Sequence, residues 1–217
     1  MLDMAELASR PPLLDTPTLA GELVRLVPLD LGHVAGLAAA AADGRDTFTW
    51  TRVPEGVEDA QRYVEDLLAE RERGTVVPFA QLDAVDGRVI GATRYMHLRH
   101  RDGAELPYAV EIGGTWLAAG SQRTGVNVEA KLLLMTHAFE QWGVGRVDLR
   151  TDARNERSRT AIAGLGATFE GVLRGWQPSH VVGEEGLLRD SAMYSVLAVE
   201  WPAVRRGLAA RLRRELT

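Results

Sequence analysis

The chain has 217 residues, enough for one large domain with a substantial core, and 46% apolar with 25% charged residues is ordinary for a globular protein. A formal net charge of −5 argues against a protein devoted to a nucleic-acid backbone, and the absence of cysteine excludes disulfides, thiolate zinc sites and a cysteine nucleophile. No basic stretch followed by an apolar run opens the sequence, and no apolar segment approaches the roughly 18 residues of a membrane span, so the expectation is a soluble cytoplasmic protein.

Residues 1–18 carry Pro11, Pro12 and Pro17 and read as an N-terminal arm. Glu22 to Val27 alternates polar with apolar as a half-buried strand does. Asp30 is placed to cap an alanine-rich helix from Leu31 to Ala42, and Val57 to Arg73 carries the stripe of an amphipathic helix stopped by Gly74. Strands over Val77–Asp83 and Arg88–Met96 are joined at Asp86-Gly87, a pair suited to a hairpin turn. A polar loop, Leu98 to Pro107, leads to a strand over Ala109–Leu117.

A strong helix is expected from Val126 to about Trp142, with Val126, Ala130, Leu133, Leu134, His137 and Ala138 inward. Gly143 and Gly145 end it, Arg146 to Thr151 alternates as a strand, and Asn155 caps a short helix that stops near Gly164–Gly166. Strands near Thr168–Arg174 and Ser191–Val199 and a helix over Pro202–Leu216 complete the chain. The sum is a mixed α/β domain over residues 19–200, with about seven strands. Residues 201–217 form an amphipathic helix packed on that domain or on a dimer partner. The arginines of this last helix (Arg205, Arg206, Arg211, Arg213, Arg214) fit a solvated or packing face better than an RNA surface.

The chemistry concentrates in EIGGTWLAAGSQRTGVNVEAKLLL, residues 111–134. Gly120 to Gly125 is a turn of small residues running straight into a helix. Its amides are free to meet an anion, the helix dipole favours negative charge there, and Arg123 adds a cation. Such a turn also serves simply to reverse the chain. The five histidines, His33, His97, His100, His137 and His180, form no metal pattern, and HExxH, G-x-S-x-G and Walker motifs are absent; no metal is expected.

Gln122-Arg123-Thr124-Gly125-Val126-Asn127 resembles the pyrophosphate loop of the GNAT superfamily of acetyltransferases, Q/R-x-x-G-x-G/A, departing from it at Asn127. A second match runs from Arg150 to Ser158 and on through Ala161 to Leu165-Gly166-Ala167, and the pattern is most similar to the RimJ/RimL branch. The resemblance implies a mostly antiparallel mixed sheet, splayed between its fourth and fifth strands and flanked by helices. It implies acetyl-CoA as co-substrate, an amine acceptor (a small molecule or a protein N-terminus) and a possible homodimer, without membrane or direct nucleic-acid partners.

By the same resemblance, residues 122–127 (Gln122, Arg123, Thr124, Gly125, Val126, Asn127) hold the diphosphate, and the backbone of Trp116, Leu117 and Ala118 holds the pantetheine arm. Glu111 is the general base; its other reading is a surface Glu alternating with inward Ile112. Asn155 meets the pantetheine or thiol end, or only caps its helix. Many relatives place a Tyr seven residues after this Asn as general acid; Ile162 stands there, so Ser158 or a water takes that place if an acid is needed. Trp50, Tyr95 and Trp176 line an acceptor pocket or belong to the core. Two rival readings remain: a CoA-binding sensor or scaffold without turnover, and a ribosome- or RNA-associated factor.

Overall fold

The apolar alternation of the strands is resolved in a computed structural model that describes Leu14 and residues 17–215. Most of the expected arm, and the end of the last helix, lie outside the described residues. The strands are β1 (Leu19–Ala20), β2 (Val24–Pro28), β3 (Val76–Asp83), β4 (Val89–Arg99), β5 (Ala109–Leu117), β6 (Arg146–Asp152), β7 (Thr168–Pro178) and β8 (Leu188–Leu197). The helices are α1 (Val34–Ala42), α2 (Gly56–Glu72), α3 (Val126–Glu140), α4 (Glu156–Ala163) and α5 (Trp201–Glu215), with short 3₁₀ turns at Leu31–His33, Arg45–Phe48 and Ala119–Ser121.

One sheet holds all eight strands in the order β1-β2-β3-β4-β5-β6-β8-β7. Every neighbouring pair is antiparallel except β5 with β6, which are parallel. The eighth strand, beyond the seven expected, is the two-residue β1. It is too short to show a period of two in sequence. β5 and β6 pair only at Ala109–Arg146, Val110–Val147 and Glu111–Asp148, and then part. This is the expected splay between the long strands that stand fourth and fifth.

Both faces of the sheet are covered. On one, α3 and α5 pack over the sheet through Leu134, Met135, Ala138, Trp201 and Leu208. On the other, α1 and α2 bury Leu37, Tyr63, Val64 and Leu67 against β3 and β4. Helix ends follow the residues that favour them. Asp30 caps the turn into α1 by accepting from the Gly32 amide at 2.8 Å. Gly74, at φ +71°, stops α2, and Gly143, at φ +67°, follows α3. The last helix packs on the same domain: Trp201 stacks on Phe139 at 5.1 Å and donates its indole N–H to Glu140 at 2.9 Å. No helix among the described residues is long and apolar enough to cross a membrane.

α3 buries more than its apolar stripe. Glu129 and Lys131, of residue types that are rarely buried unless paired, are 6% and 4% exposed. The Glu129 carboxylate accepts from the backbone amides of Glu22, Leu23 and Val24 at 2.9, 2.7 and 2.9 Å, tying the first strands to the central helix. Gly21 permits this approach, since a Cβ there would lie 2.3 Å from the Glu129 carboxyl carbon. Lys131 donates to Thr115 Oγ1 at 2.6 Å, and Thr115 in turn shares a hydrogen bond with Thr93 at 2.8 Å. Burial lowers the Lys131 ammonium to about 7.

Both buried charges leave a measurable mark on stability. Replacing Glu129 with Ala strands three amides and is expected to cost about 3 kcal/mol of unfolding free energy in a urea titration. Glu129→Gln, which keeps one accepting oxygen, should cost less. For Lys131, the unfolded chain binds more protons between pH 7 and the ordinary lysine value, so stability from this group rises with pH across that window. The melting-temperature advantage of Lys131→Met over the wild type should be flat below pH 7 and shrink by pH 9.

Candidate active site

Where β5 and β6 part, a cleft of about 620 Å³ opens between the strands. Its walls come from β5 (Glu111 to Leu117), the start of α3 (Asn127, Lys131), β6 (Leu149 to Thr151), α4 (Ser158, Ile162) and the segment after α1 (Thr47, Trp50). The geometry of β5 decides what faces it. Ala92 pairs with Trp116 and Arg94 with Gly113, so β5 carries one residue more than β4 between these points: a β-bulge. Gly114, at φ +56°, supplies the left-handed conformation that the bulge needs. Ile112 consequently enters the core beside α3, while Glu111 lines the cleft.

Glu111 is 4% exposed. Its carboxylate meets the Arg150 guanidinium at 3.2 Å, and His97 lies 4.0 Å away. Burial raises the Glu111 carboxyl above the usual carboxylate range, Arg150 opposes that rise, and Asp148 adds to it. Arg150 also contacts His97 Nε2 at 3.0 Å and lies 5.7 Å from the centre of the Trp176 ring. The surface reading of Glu111 is therefore set aside: it is a buried carboxylate held in a cleft by a cation.

At the other end of β5, the Gln122–Asn127 turn is built from side chains that brace it and amides that stay free. Gln122 donates its amide to Thr47 Oγ1 and to the Leu117 carbonyl, both at 2.9 Å, and accepts from Arg157 at 3.2 Å. Thr124 donates its hydroxyl to the Ser121 carbonyl at 2.8 Å. Arg123 and Gly125 both take positive φ, at 61° and 84°. Gly125 precedes α3 without a side-chain cap. The backbone amides of residues 123–128 donate to no protein group among the described residues. Successive free amides around left-handed residues at a helix N-terminus make a concavity for an anion. The side chains of Arg123 and Asn127 line its cleft side.

The remaining candidates divide. Trp116 and Leu117 line the cleft; Ala118 does not, and its amide donates to the Ile90 carbonyl at 2.8 Å. Asn155 caps α4, its Oδ1 accepting from the Ser158 amide at 3.0 Å, and it also lines the cleft, so both of its expected roles are open to it. Ser158 lines the cleft with its hydroxyl bonded to no other described residue. Of the aromatics, Trp50 lines the cleft beneath Arg154, whose guanidinium lies 4.7 Å from its ring centre, and Trp176 is exposed. Tyr95 is core: fully buried, it donates its hydroxyl to the Leu134 carbonyl at 2.6 Å. His137 packs against Trp142 at 4.8 Å, in keeping with its inner-face position. Arg94, Lys131, Arg150 and Arg189 are not among the residues that sequence reasoning singles out, yet all four line the cleft. The paired Gly113-Gly114 inside a strand is the available signal, since adjacent glycines there mark a bulge or a close approach.

A family model for the acetyltransferase (GNAT) domain matches residues 24–168. A search of curated proteins gives no match. Among solved structures, a GCN5-related N-acetyltransferase from Brucella melitensis is 27% identical over 94% of this chain and 88% of its own, with a TM-score of 0.80. A T. thermophilus protein assigned to the acetyltransferases is 33% identical over 92% of this chain and 99% of its own, at 0.77. RimJ of Mycobacterium smegmatis, solved with CoA-disulfide, is 23% identical over 89% and 91%, at 0.71, a likeness of fold. The matched residues span the bulged strand, most of the open cleft and the amide-lined turn, and on that ground the chain belongs to the GNAT acetyltransferase family.

Proposed function

We propose that the protein transfers an acetyl group from acetyl-CoA to a primary amine by direct attack in a ternary complex. The observation that carries this reading is the run of free amides over residues 123–128 at one end of a cleft with a buried carboxylate at the other. When bound, acetyl-CoA supplies an activated acyl carbon and a thiolate leaving group.

The residues present fit that co-substrate. The 123–128 amides, with Arg123 beside them, receive a diphosphate. The β6-facing edge of β5 beyond Glu111 has no strand partner, so its amides and carbonyls pair with the amides of a pantetheine arm as an added strand would. Glu111, directly or through a water, takes the proton that an ammonium must lose before it attacks. Backbone N–H groups of the Trp116–Leu117 stretch, on the edge of β5 that has no β6 partner, face the developing oxyanion. Ala118 is no part of that group, because its amide is committed to Ile90. Ser158 stands ready to donate to the departing sulfur, and a CoA thiol is acidic enough to need little help.

Free-thiol release across a panel of amines tests the transfer itself. Silence with every amine, together with no calorimetric heat on adding CoA, would sink the proposal. Glu111→Gln should lower kcat/KM by about 10²- to 10⁴-fold while CoA affinity persists. After correction for the free-amine fraction, wild-type kcat/KM should fall as the pH drops through a value above the ordinary carboxylate range, because burial raises Glu111. The variant should lack that limb. Asn127→Asp, which sets a negative charge within the amide concavity, should weaken CoA binding by about 10-fold or more in the same calorimetric assay.

A further inference from the structure

The acceptor end of the cleft carries more positive charge than its chemistry uses. Arg150 is engaged by Glu111. Arg94 has no such partner among the described residues: it lines the cleft, makes no hydrogen bond or ion pair there, and its Nε is buried without a partner. Its guanidinium occupies the space above the bulge, where a Cβ at Gly114 would fall 2.6 Å from Arg94 Cζ. Glycine at 114 thus leaves the room that this side chain fills.

Arg189, on β8 across the cleft, is nearly as free. It donates once, to the Trp50 carbonyl at 3.3 Å, and its Nε is also buried and unpartnered. His180 feels Arg189, Arg52 and Arg94 together, which with burial hold its imidazole below the ordinary range, so these cations share one neighbourhood. Asp66 and Glu70 on the α2 wall form no ion pair with Arg94 or Arg189 among the described residues.

Two half-buried guanidinium groups with unsatisfied donors, neither in an ion pair among the described residues although Arg189 feels Asp152 and Glu111 at longer range, can take an anion. The co-substrate's phosphates do not answer this need. Arg94 pairs across the sheet with Gly113 and Gly91 with Leu117, so Arg94 stands three β4 residues, about 10 Å, up the strand from the end that leads to the phosphate turn. Glu111 stands two strand positions from Gly113, about 6.6 Å along β5. A compact molecule bridges that gap with its amine at Glu111 and its acid group at Arg94.

We infer that the acceptor is a small primary amine bearing a carboxylate or phosphate, with Arg94 and Arg189 as the residues that read the oxyanion. This rests on the acetyl-transfer reading for its turnover arm only. Binding of the anion stands without it.

Matched pairs test the inference: amino acids of increasing chain length against their carboxamides, and aminoethyl phosphate against ethanolamine. Each is assayed by thiol release with acetyl-CoA. The anionic member of a pair should show kcat/KM higher by about 10- to 100-fold, chiefly through KM, and whether carboxylates or phosphates gain more separates the two anion sources. Arg94→Gln and, separately, Arg189→Gln should pull that ratio towards one, with thermal melting confirming that each variant folds. A parallel calorimetric arm titrates the CoA-loaded protein with N-acetyl amino acids and their amides, and should show the same preference. Equal or better use of the neutral members, or a ratio unchanged in both variants, overturns the inference and leaves acetyl transfer standing. Anion-selective binding without thiol release for any amine does the reverse.

Discussion

A parallel strand pair that separates after three residues leaves a row of backbone donors and acceptors that must be satisfied by something other than the sheet. β5 and β6 do this in the interior of an eight-stranded sheet, and most of what distinguishes the site follows from it. The exposed edge calls for a ligand with peptide-like groups of its own. The gap admits side chains from α4 and from the segment after α1, which no continuous sheet would. The separation also places the two ends of β5 in different surroundings, one at a helix N-terminus and the other beside charged residues of β4 and β6.

The bulge at Gly113-Gly114 converts that gap into a site with two faces. Without the extra residue, strict alternation along β5 would put every second side chain on the same face throughout. With it, Ile112 and Thr115 both turn towards α3 while Glu111 and Trp116 stay on the α1–α2 side. Thr115 then meets Lys131, and Trp116 meets Phe48 edge-on at 5.9 Å and Tyr63. Two glycines carry this rearrangement because one must adopt positive φ and because side chains from β4 crowd both positions. A Cβ at Gly113 would fall 2.6 Å from Met96 Sδ. Replacing either glycine with a larger residue would therefore disturb Glu111 and Arg94 together.

Much of this is legible in the amino-acid order, and the reason is local. Helices α1 to α5 and strands β2 to β8 each carry their own period, cap or stop, so Asp30, Gly74 and Asn155 sit where expected. The phosphate turn is equally local, being a contiguous run from Gln122 to Asn127. What escapes depends on strands distant in sequence. β1 is too short to have a period. Glu129 is buried because the Glu22–Val24 amides, more than 100 residues earlier, come to meet it, and Lys131 because the bulge turns Thr115, on the strand before α3, towards it. Arg94, Arg150 and Arg189 belong to three different strands, each reading simply as a charged residue in an alternating pattern. Their convergence is a property of the strand order, which places β8 beside β6 across the gap from β4 and β5.

Charge is distributed against the trend of the whole molecule. The chain is acidic overall, yet its cleft is lined by many more cations than carboxylates. At the phosphate end this follows from the ligand that the free amides favour. At the acceptor end the same sign has an opposite consequence for specificity, because a cationic wall repels the ammonium form of a plain amine and tolerates one accompanied by an acid group. Glu111 offsets only part of this field, since Arg150 engages it at 3.2 Å and Arg189 feels it from further away. The pairing of Glu111 with Arg150 thus serves two ends: it keeps a buried carboxylate ionisable, and it leaves Arg94 and Arg189 without an ion-pair partner among the described residues, Arg189 feeling Glu111 and Asp152 only at longer range.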